Sequence, residues 1–189
     1  VRIGFEICED AWVADRPGIQ LARHGADVLL NPSASHFAFG KLDVRKRFVV
    51  EGSRAFSASY VYANLLGNES GRTIFDGGAM IASGGELLAV GPRLSFAEHT
   101  VTTATVDVAR TRMAAARSVS FRPDLSDLGP RSVEVSFTYP EIPQRAAPPL
   151  VVASWEQGPE LKHEEFTRAM ALGLFDYLRK SRSHGFVIS

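Results

Sequence analysis

Two apolar stretches joined by one short helical segment open the sequence, and their spacing restricts the fold more than any other feature. In residues 1–8, apolar side chains alternate with polar or small ones, which is typical of a strand ending at Cys8. A short helix is predicted over 19–26, and a second strand over 26–35. Strand, helix and strand with short links form a parallel crossover. We therefore expect Cys8 and the loop at 31–35 to lie at the same edge of one sheet, where open α/β sheets place their ligands.

The segments that follow extend this sheet. The pattern is helical from Lys41 to about Ser59, with basic residues in its first turns. Glycine turns and alternating apolar residues then predict a run of strands and a hairpin in "YVYANLLG", "TIFDGGAMIAS", "LLAVGPR" and "HTVTTATVDVA". This order of elements predicts an α/β sandwich with a mixed sheet.

The composition changes after Ser118, where the helical and strand periodicities are lost. Six of the ten prolines lie between Pro123 and Pro149. Because proline cannot donate a backbone hydrogen bond, this stretch is predicted to be a linker or an arm packed on other chains. Its apolar run "VEVSFTYP" indicates packing against another subunit.

Regular structure returns in "KHEEFTRAMALGLFDYLRKSR", residues 162–182. Acids near its start and basic residues at its end suit the helix dipole, so a helix is predicted. Its expected apolar face consists of Phe166, Met170, Leu174 and Leu178. The closing "GFVIS" predicts the first strand of another α/β unit. Since the chain opens at Val1 and closes inside strand patterns, we expect it to be a segment of a longer protein.

The overall charge and the cysteine content exclude several classes of function. Acidic and basic residues balance at 21 each, so no net field attracts nucleic acid or an anionic membrane. The single cysteine cannot close an intramolecular disulfide, and neither a signal segment nor an apolar run of about 18 residues occurs. We therefore expect a cytoplasmic protein whose partners are small molecules or proteins, with no nucleic-acid or membrane partner.

Cys8 is the first candidate for chemistry, although a lone cysteine is more often a small core residue than a nucleophile. Its position at the crossover edge favours the nucleophile. The negative neighbours Glu6, Glu9 and Asp10 disfavour the reactive thiolate, so a nucleophilic Cys8 needs a cation and a base from elsewhere.

Within the chain, few residues could supply that cation and base. His36 lies in the loop at the same edge, and Lys41 opens the next helix and could reach back toward Cys8. Both also fit a simpler interpretation as solvated surface side chains.

The motif "GFEICEDAW" resembles the cysteine motif of the carbon-nitrogen hydrolase (nitrilase) superfamily. Together with "NPSASHFAFGK" and "TIFDGGAMIASGGELLA", it resembles the glutaminase domain of the glutamine-dependent NAD synthetase family over about residues 1–117. The resemblance implies the C-terminal half of a nitrilase-type α-β-β-α sandwich, followed by a proline-rich linker at 118–158. Residues 159–189 are similar to the start of the synthetase domain, the first helix and strand of a Rossmann-like ATP-binding unit.

The resemblance also implies roles for individual residues. Enzymes of this superfamily use a glutamate, a lysine and a cysteine, of which only Cys8 would lie in this chain. Glu9 and Ser35 correspond to positions that bind the glutamine substrate, Trp12 to an aromatic residue lining the pocket, and Lys41 to a basic residue closing it. Simpler interpretations stay open: a surface acid for Glu9, a core aromatic for Trp12, a turn hydroxyl for Ser35 and a surface lysine for Lys41.

The implied reaction is hydrolysis of glutamine through a thioester on Cys8. Its ammonia would amidate nicotinic acid adenine dinucleotide, activated by ATP with Mg²⁺, in a protein expected to be a homo-oligomer. The glycine-rich loop for ATP is expected outside this chain, because "DGG" at 76–78 and "SGGE" at 83–86 are predicted to be tight turns between strands. The isolated chain is expected to be inactive, because the glutamate and lysine that activate the cysteine would lie outside it.

Two other functions stay open on the sequence alone. One is a free-standing amidase or nitrilase of the same fold, which would not need the helix at 162–182 after a proline-rich connector. The other is a non-catalytic interaction module, in which Cys8 is buried and the proline-rich arm binds a partner.

Overall fold

The computed structural model describes residues 1–69, 72–126, 131–140 and 150–188. In chain order, the strands and α-helices are β1 (Ile3–Phe5), α1 (Gly18–Arg23), β2 (Val28–Ser33), α2 (Lys41–Ala55), β3 (Ser59–Asn64), β4 (Leu66–Glu69), β5 (Thr73–Asp76), β6 (Met80–Ser83), β7 (Glu86–Val90), α3 (Val108–Arg117) and α4 (Leu161–Ser181). Short 3₁₀ helices occur at Cys8–Trp12 and Ser154–Gln157.

The main sheet has the strand order β1-β2-β3-β6-β7. Strands β1, β2 and β3 run parallel, with Phe5 opposite Leu30, whereas β3, β6 and β7 pair antiparallel. This confirms the predicted mixed sheet and the parallel crossover through α1. Because β1 and β2 point the same way, Cys8 and the residues after Ser33 leave the sheet at one edge.

A second, smaller sheet was not foreseen from the sequence. It consists of β4 and β5, paired antiparallel. The predicted strand at 73–83 breaks at Gly77 and Gly78, whose φ angles of 69° and 76° are rarely adopted by other residues. Consequently β5 pairs with β4, while β6 returns to the main sheet and forms the predicted hairpin with β7.

Helix α2 covers the main sheet and forms the larger hydrophobic core. Leu42 and Val49 on the helix pack with Leu29, Tyr60 and Met80 from the strands. The helix ends at Ala55, before the predicted end near residue 59, since Ser57 has a φ of 49° and turns the chain into β3.

The strand predicted over 99–109 is wrong. Its alternation of threonine and valine imitates a strand, but α3 begins within it at Val108. The side chain of Asp107 caps this helix by accepting a hydrogen bond from the Arg110 amide at 3.0 Å. Arg112 then anchors α3 to the start of β2 through two hydrogen bonds to Asp27, at 2.7 and 2.8 Å.

Helix α4 forms where predicted, but its packing face is different from the predicted one. Phe166, Met170 and Leu174 are exposed, whereas Ala169 and Leu172 are buried against β4 and β5. The predicted apolar face is therefore wrong. Polar contacts of Glu165 and Asp176 fix the rotation of the helix instead.

Two glycines lie where α4 packs closely on the small sheet, Gly173 in the helix and Gly67 in β4. A Cβ at Gly173 would lie 3.0 Å from Ile74 Cδ1, and one at Gly67, where φ is 109°, would lie 2.5 Å from a carboxylate oxygen of Asp176. The buried Asp176 accepts hydrogen bonds from the Asn68 amide at 2.7 Å and forms an ion pair with Lys180 at 2.8 Å. Burial alone would raise the pKa of Asp176, but these donors hold it below its usual value.

The remaining predictions concern the linker and the end of the chain. Parts of the predicted linker, at 127–130 and 141–149, lie outside the described residues, and 132–140 form no helix or strand. The strand predicted at 185–189 is not observed over 185–188, and residue 189 lies outside the description. The domain boundaries stay predictions. None of the described helices is long and apolar enough to cross a membrane.

Replacement of Leu172 by alanine is expected to destabilise the chain by about 2–5 kcal/mol, because a leucine with 2% exposure leaves a cavity between α4 and the small sheet. Leu174, 48% exposed, offers a matched control whose alanine variant should change little. Urea unfolding followed by circular dichroism measures both free energies. Equal losses in the two variants would contradict the packing of α4 described above.

Candidate active site

Cys8 begins the 3₁₀ helix that follows β1, and its backbone is unusual. Its φ is 49°, in the left-handed region that non-glycine residues seldom occupy. The residue is half-buried and belongs to neither of the two hydrophobic clusters of the described chain. The turn is closed by Asp10, whose carboxylate accepts from the Ile7 amide at 2.9 Å while its own amide donates to the Ile7 carbonyl at 3.0 Å.

Glu6 does not act on Cys8 as the sequence argument expected. Its carboxylate is fully buried and accepts hydrogen bonds from Arg16 at 2.9 Å, Tyr60 at 2.6 Å and the Gly18 amide at 2.6 Å. Burial alone would raise the pKa of Glu6, but Arg16 and Tyr60 lower it below its usual value. The Arg16 charge compensates Glu6, which weakens the expected repulsion of a Cys8 thiolate.

Lys41 and Trp12 meet beside Cys8. The Lys41 Nζ lies 5.6 Å from the centre of the Trp12 ring and 3.4 Å from Nε2 of His36. Trp12 is 39% exposed, and its inner side packs on Phe48 with ring centres 5.3 Å apart, so it is not a core residue. Partial burial and the Arg45 charge lower the pKa of Lys41, whereas the Asp76 charge and, to a smaller extent, Cys8 oppose this shift.

Ser35 is buried at the start of the loop that joins β2 to α2, which we name the 35–40 loop. Its amide donates to Asn64 Oδ1 at 2.8 Å, and its carbonyl accepts from Asn64 Nδ2 at 2.9 Å. Its hydroxyl and carbonyl also accept from Arg45, at 3.1 and 2.8 Å. Glu9 is exposed beside Cys8, where its carboxylate is accessible to a bound molecule.

Two charged residues that hold this loop were not predicted from the sequence. Arg45 is completely buried and donates to Asp76 at 2.6 Å. A signal was available, because Arg45 shares one helical face with Leu42 and Val49, and a buried arginine requires a carboxylate. No comparable signal in the sequence identifies Asp76 as that partner.

Two further polar groups are buried at the same edge. Asn31 and Tyr62 face each other in the β2–β3 register. Neither the Asn31 amide nitrogen nor the Tyr62 hydroxyl has a hydrogen-bond partner within the described ranges. Burial raises the pKa of Tyr62 to about 12, so the hydroxyl remains protonated at neutral pH.

The glycine pairs predicted to form tight turns lie between strands. Gly77 and Gly78 lie in a turn between β5 and β6, and Gly84 and Gly85 lie in the β6–β7 hairpin, as predicted. None of these glycines opens a helix, so they do not present the amides that cradle phosphate. Over 1–69, 72–126, 131–140 and 150–188, no group of three or more acidic, histidine or cysteine side chains could hold a metal ion.

Two open cavities lie at the other end of the parallel strands. They measure about 470 and 370 Å³, and both are lined by Gly25, Asp27 and Arg112. Asp27 precedes β2, whereas Cys8 follows β1, so these cavities lie away from the candidate residues. Their main polar groups are already joined by the Arg112–Asp27 ion pair.

Comparison with known proteins places these features in a family context. No protein-family model matches the sequence. The glutamine-dependent NAD(+) synthetase of Oryza sativa subsp. indica is 32% identical over 193 residues, covering 100% of this chain and 25% of the relative. The crystal structure of a glutamine-dependent NAD(+) synthetase from Cytophaga hutchinsonii matches 98% of this chain and 22% of its own, at 37% identity and a TM-score of 0.60.

A carbon-nitrogen hydrolase from Helicobacter pylori G27 shares the fold over 60% of this chain and 43% of its own, at 21% identity and a TM-score of 0.52. The resemblance to glutamine-dependent NAD synthetases and the predicted α/β fold are thereby confirmed. The chain spans about a quarter of the length of the curated relatives it matches, 25% in the rice protein.

Replacement of Glu6 by glutamine is expected to lower the free energy of unfolding at pH 7 by about 3–5 kcal/mol, because Arg16 is left as an uncompensated buried charge. The pKa of Glu6 is lower in the folded chain, so its stabilisation is complete above the unfolded value near 4.3 and disappears as the pH falls through the folded value. The difference between wild type and variant should therefore shrink below roughly pH 4.

Urea unfolding at several pH values measures this difference. The exposed pair Glu51–Arg54 supplies the control, since Glu51→Gln should leave stability unchanged. A constant difference from pH 7 to pH 3 would contradict the assignment of the effect to the Glu6 charge.

Proposed function

We propose that this chain forms part of a glutamine-dependent NAD synthetase and carries the nucleophile of its glutaminase site. The observation that carries the proposal is the position of Cys8. It is half-buried and has left-handed backbone geometry at the carboxyl edge of the parallel strands. Similarity to such synthetases over 98% of the chain supports the same role.

In this proposal the Cys8 thiolate attacks the carboxamide carbon of glutamine. The thiol proton passes through a base to the leaving nitrogen, ammonia departs, and a thioester remains. Water then attacks the thioester, which releases glutamate and restores the thiol. The developing oxyanion needs hydrogen-bond donors, and the backbone amide of Glu9, directly after the nucleophile, is one candidate.

Two of the three acids next to Cys8 are poorly suited to act as the base, and we assign the third, Glu9, to the substrate. Glu6 is already bound by three donors, and Asp10 is engaged by the Ile7 amide. We therefore propose that the base and the activating lysine come from a part of the protein outside this chain. This is the arrangement implied by the superfamily resemblance.

The remaining candidate residues would form the wall of the glutamine site. The exposed Glu9 carboxylate can accept the α-ammonium group of glutamine, and Ser35 lies across the edge with its position fixed by Arg45. Trp12 and Lys41, which contact each other, would cover the substrate and exclude water.

The second half of the proposed reaction lies beyond the described residues. The ammonia would amidate nicotinic acid adenine dinucleotide in a step that uses ATP and Mg²⁺. Because no glycine pair in this chain opens a helix, we assign no residue here to those groups. Homo-oligomerisation and cytoplasmic location remain predictions; exposed Val133, Val135 and Phe137 are consistent with packing against another subunit.

Two alternatives are less well supported. A free-standing amidase gives no reason for α4 to be anchored on the small sheet through Asp176, or for similarity to synthetases to extend across that helix. A non-catalytic module was expected to bury Cys8, and the residue is half-buried at the sheet edge instead.

Replacement of Cys8 by alanine in the full-length protein is expected to reduce glutamine-dependent NAD formation roughly a thousand-fold or more, because the nucleophile is lost. NAD formation from added ammonium salt should be unchanged, which shows that the variant is folded. A glutamine-like diazoketone should label the wild-type tryptic peptide at 3–23, which contains Cys8, and not the variant. Retention of glutamine-dependent activity in Cys8→Ala would contradict the proposal.

The 189-residue chain alone is expected to release no ammonia from glutamine, because the proposed base and activating lysine are not part of it. A coupled glutamate dehydrogenase assay measures this directly, with the full-length protein as positive control. Turnover by the isolated chain would show that its own residues activate Cys8.

A further inference from the structure

Asp76 joins two buried arginines that reach different parts of the chain. It is the last residue of β5 and is 2% exposed. One carboxylate oxygen accepts from Arg45 at 2.6 Å, and the other lies 3.6 Å from Arg93 Nη1. We name these three residues the Asp76 network.

On one side, the network holds the 35–40 loop. The Arg45 guanidinium donates to the carbonyls of Ser35 and His36, at 2.8 and 3.0 Å, and to the Ser35 hydroxyl. Asp76 also accepts from Asn64, which pairs with both backbone groups of Ser35. The position of Ser35 therefore depends on the bond between Arg45 and Asp76.

On the other side, the network reaches the segment that carries α4. Arg93 donates to Glu156 at 2.8 Å and forms an ion pair with Glu165 at 2.8 Å, and its guanidinium lies 5.2 Å from the centre of the Trp155 ring. Burial alone would lower the pKa of Arg93, but Glu156 and Glu165 raise it above its ordinary value. These acids are the nearest negative partners of Arg93, since Asp76 lies farther away.

The loop also touches α4 directly. The Phe37 amide donates to the Ile74 carbonyl at 2.7 Å, and Phe37 packs against the hydrophobic cluster that contains Ala169 and Leu172 of the helix. At the first turn of α4, the Lys162 ammonium lies 5.3 Å from the centre of the Phe39 ring. The loop thus lies between α2 and α4.

We propose that Glu156 and Glu165 are positioning residues for the glutamine site, acting through Arg93, Asp76 and Arg45 on Ser35. Together they satisfy the Arg93 charge and so leave Asp76 bound to Arg45. Without them, Asp76 is the nearest carboxylate left to Arg93, and the two arginines compete for one acid in a region with little water. Arg45 then loosens from Asp76, and the 35–40 loop loses the contacts that fix Ser35.

This inference rests on the proposed glutaminase function and is tested in the full-length protein. The double variant Glu156→Gln, Glu165→Gln is compared with Glu160→Gln, an exposed acid nearby whose partner is His163. Alkylation of Cys8 by iodoacetamide is followed on the tryptic peptide at 3–23, with increasing glutamine as protectant. This readout gives the affinity for glutamine without requiring turnover.

The double variant is expected to need about tenfold more glutamine for half-protection, in line with the coupling typical of contacting charged residues. Its alkylation rate without glutamine should equal that of wild type. Its KM for glutamine should rise while the ammonia-dependent reaction is unchanged. If the double variant is not obtained folded, Glu156→Gln alone should show the same change to a smaller extent.

A third variant separates competition from a general structural role. Adding Arg93→Met to the double variant removes the competing charge, so glutamine protection should return toward the wild-type value. Absence of this rescue, or protection of the double variant equal to that of Glu160→Gln, would overturn the inference. Failure of glutamine to protect the wild-type protein would instead overturn the proposed function itself.

Discussion

Burial of the Asp76 carboxylate is the constraint on which the rest of this structure depends. Withdrawing a carboxylate and its arginine partners from water is costly, and the cost is offset only when geometry is good and the remaining hydrogen-bonding groups are occupied. Meeting that requirement fixes the end of β5, the rotation of α2 and the direction in which residue 93 faces. One electrostatic requirement therefore places the 35–40 loop and the α4 segment, and hydrophobic packing fills the space around it.

Much of the fold was predictable because it follows from local periodicity. The alternation before Cys8, the single short helix and the next apolar strand were sufficient to place Cys8 at the edge where β1 and β2 end. The glycine pairs at 77–78 and 84–85 marked turns, since only glycine adopts their positive φ angles at low cost. The composition of α4 likewise located the helix within a residue of its observed bounds.

The failures concern contacts between distant residues. The spacing of the apolar residues predicted the wrong packing face for α4. The face that packs carries Glu165 and Asp176. Their partners, Arg93 and Asn68, lie far away in the sequence. The prediction that Glu6 disfavours a thiolate at Cys8 assumed an unpaired carboxylate. In the folded chain the charge of Arg16 compensates that of Glu6. Neither partner has a local signature, so only the three-dimensional arrangement identifies it.

The close approach of Gly67 to Asp176 limits where this chain can be joined to a related one in a chimeric protein. No side chain fits between that strand and α4, and the helix carboxylate takes the Asn68 amide as its donor. Consider a chimera of two related proteins that is joined within the proline-rich stretch. It would combine β4 of one protein with α4 of the other, and the close contact between Gly67 and Asp176 would be lost. A crossover point that keeps residues 59–181 in one parent protein preserves this contact. The proline-rich linker is therefore not a suitable position for the junction.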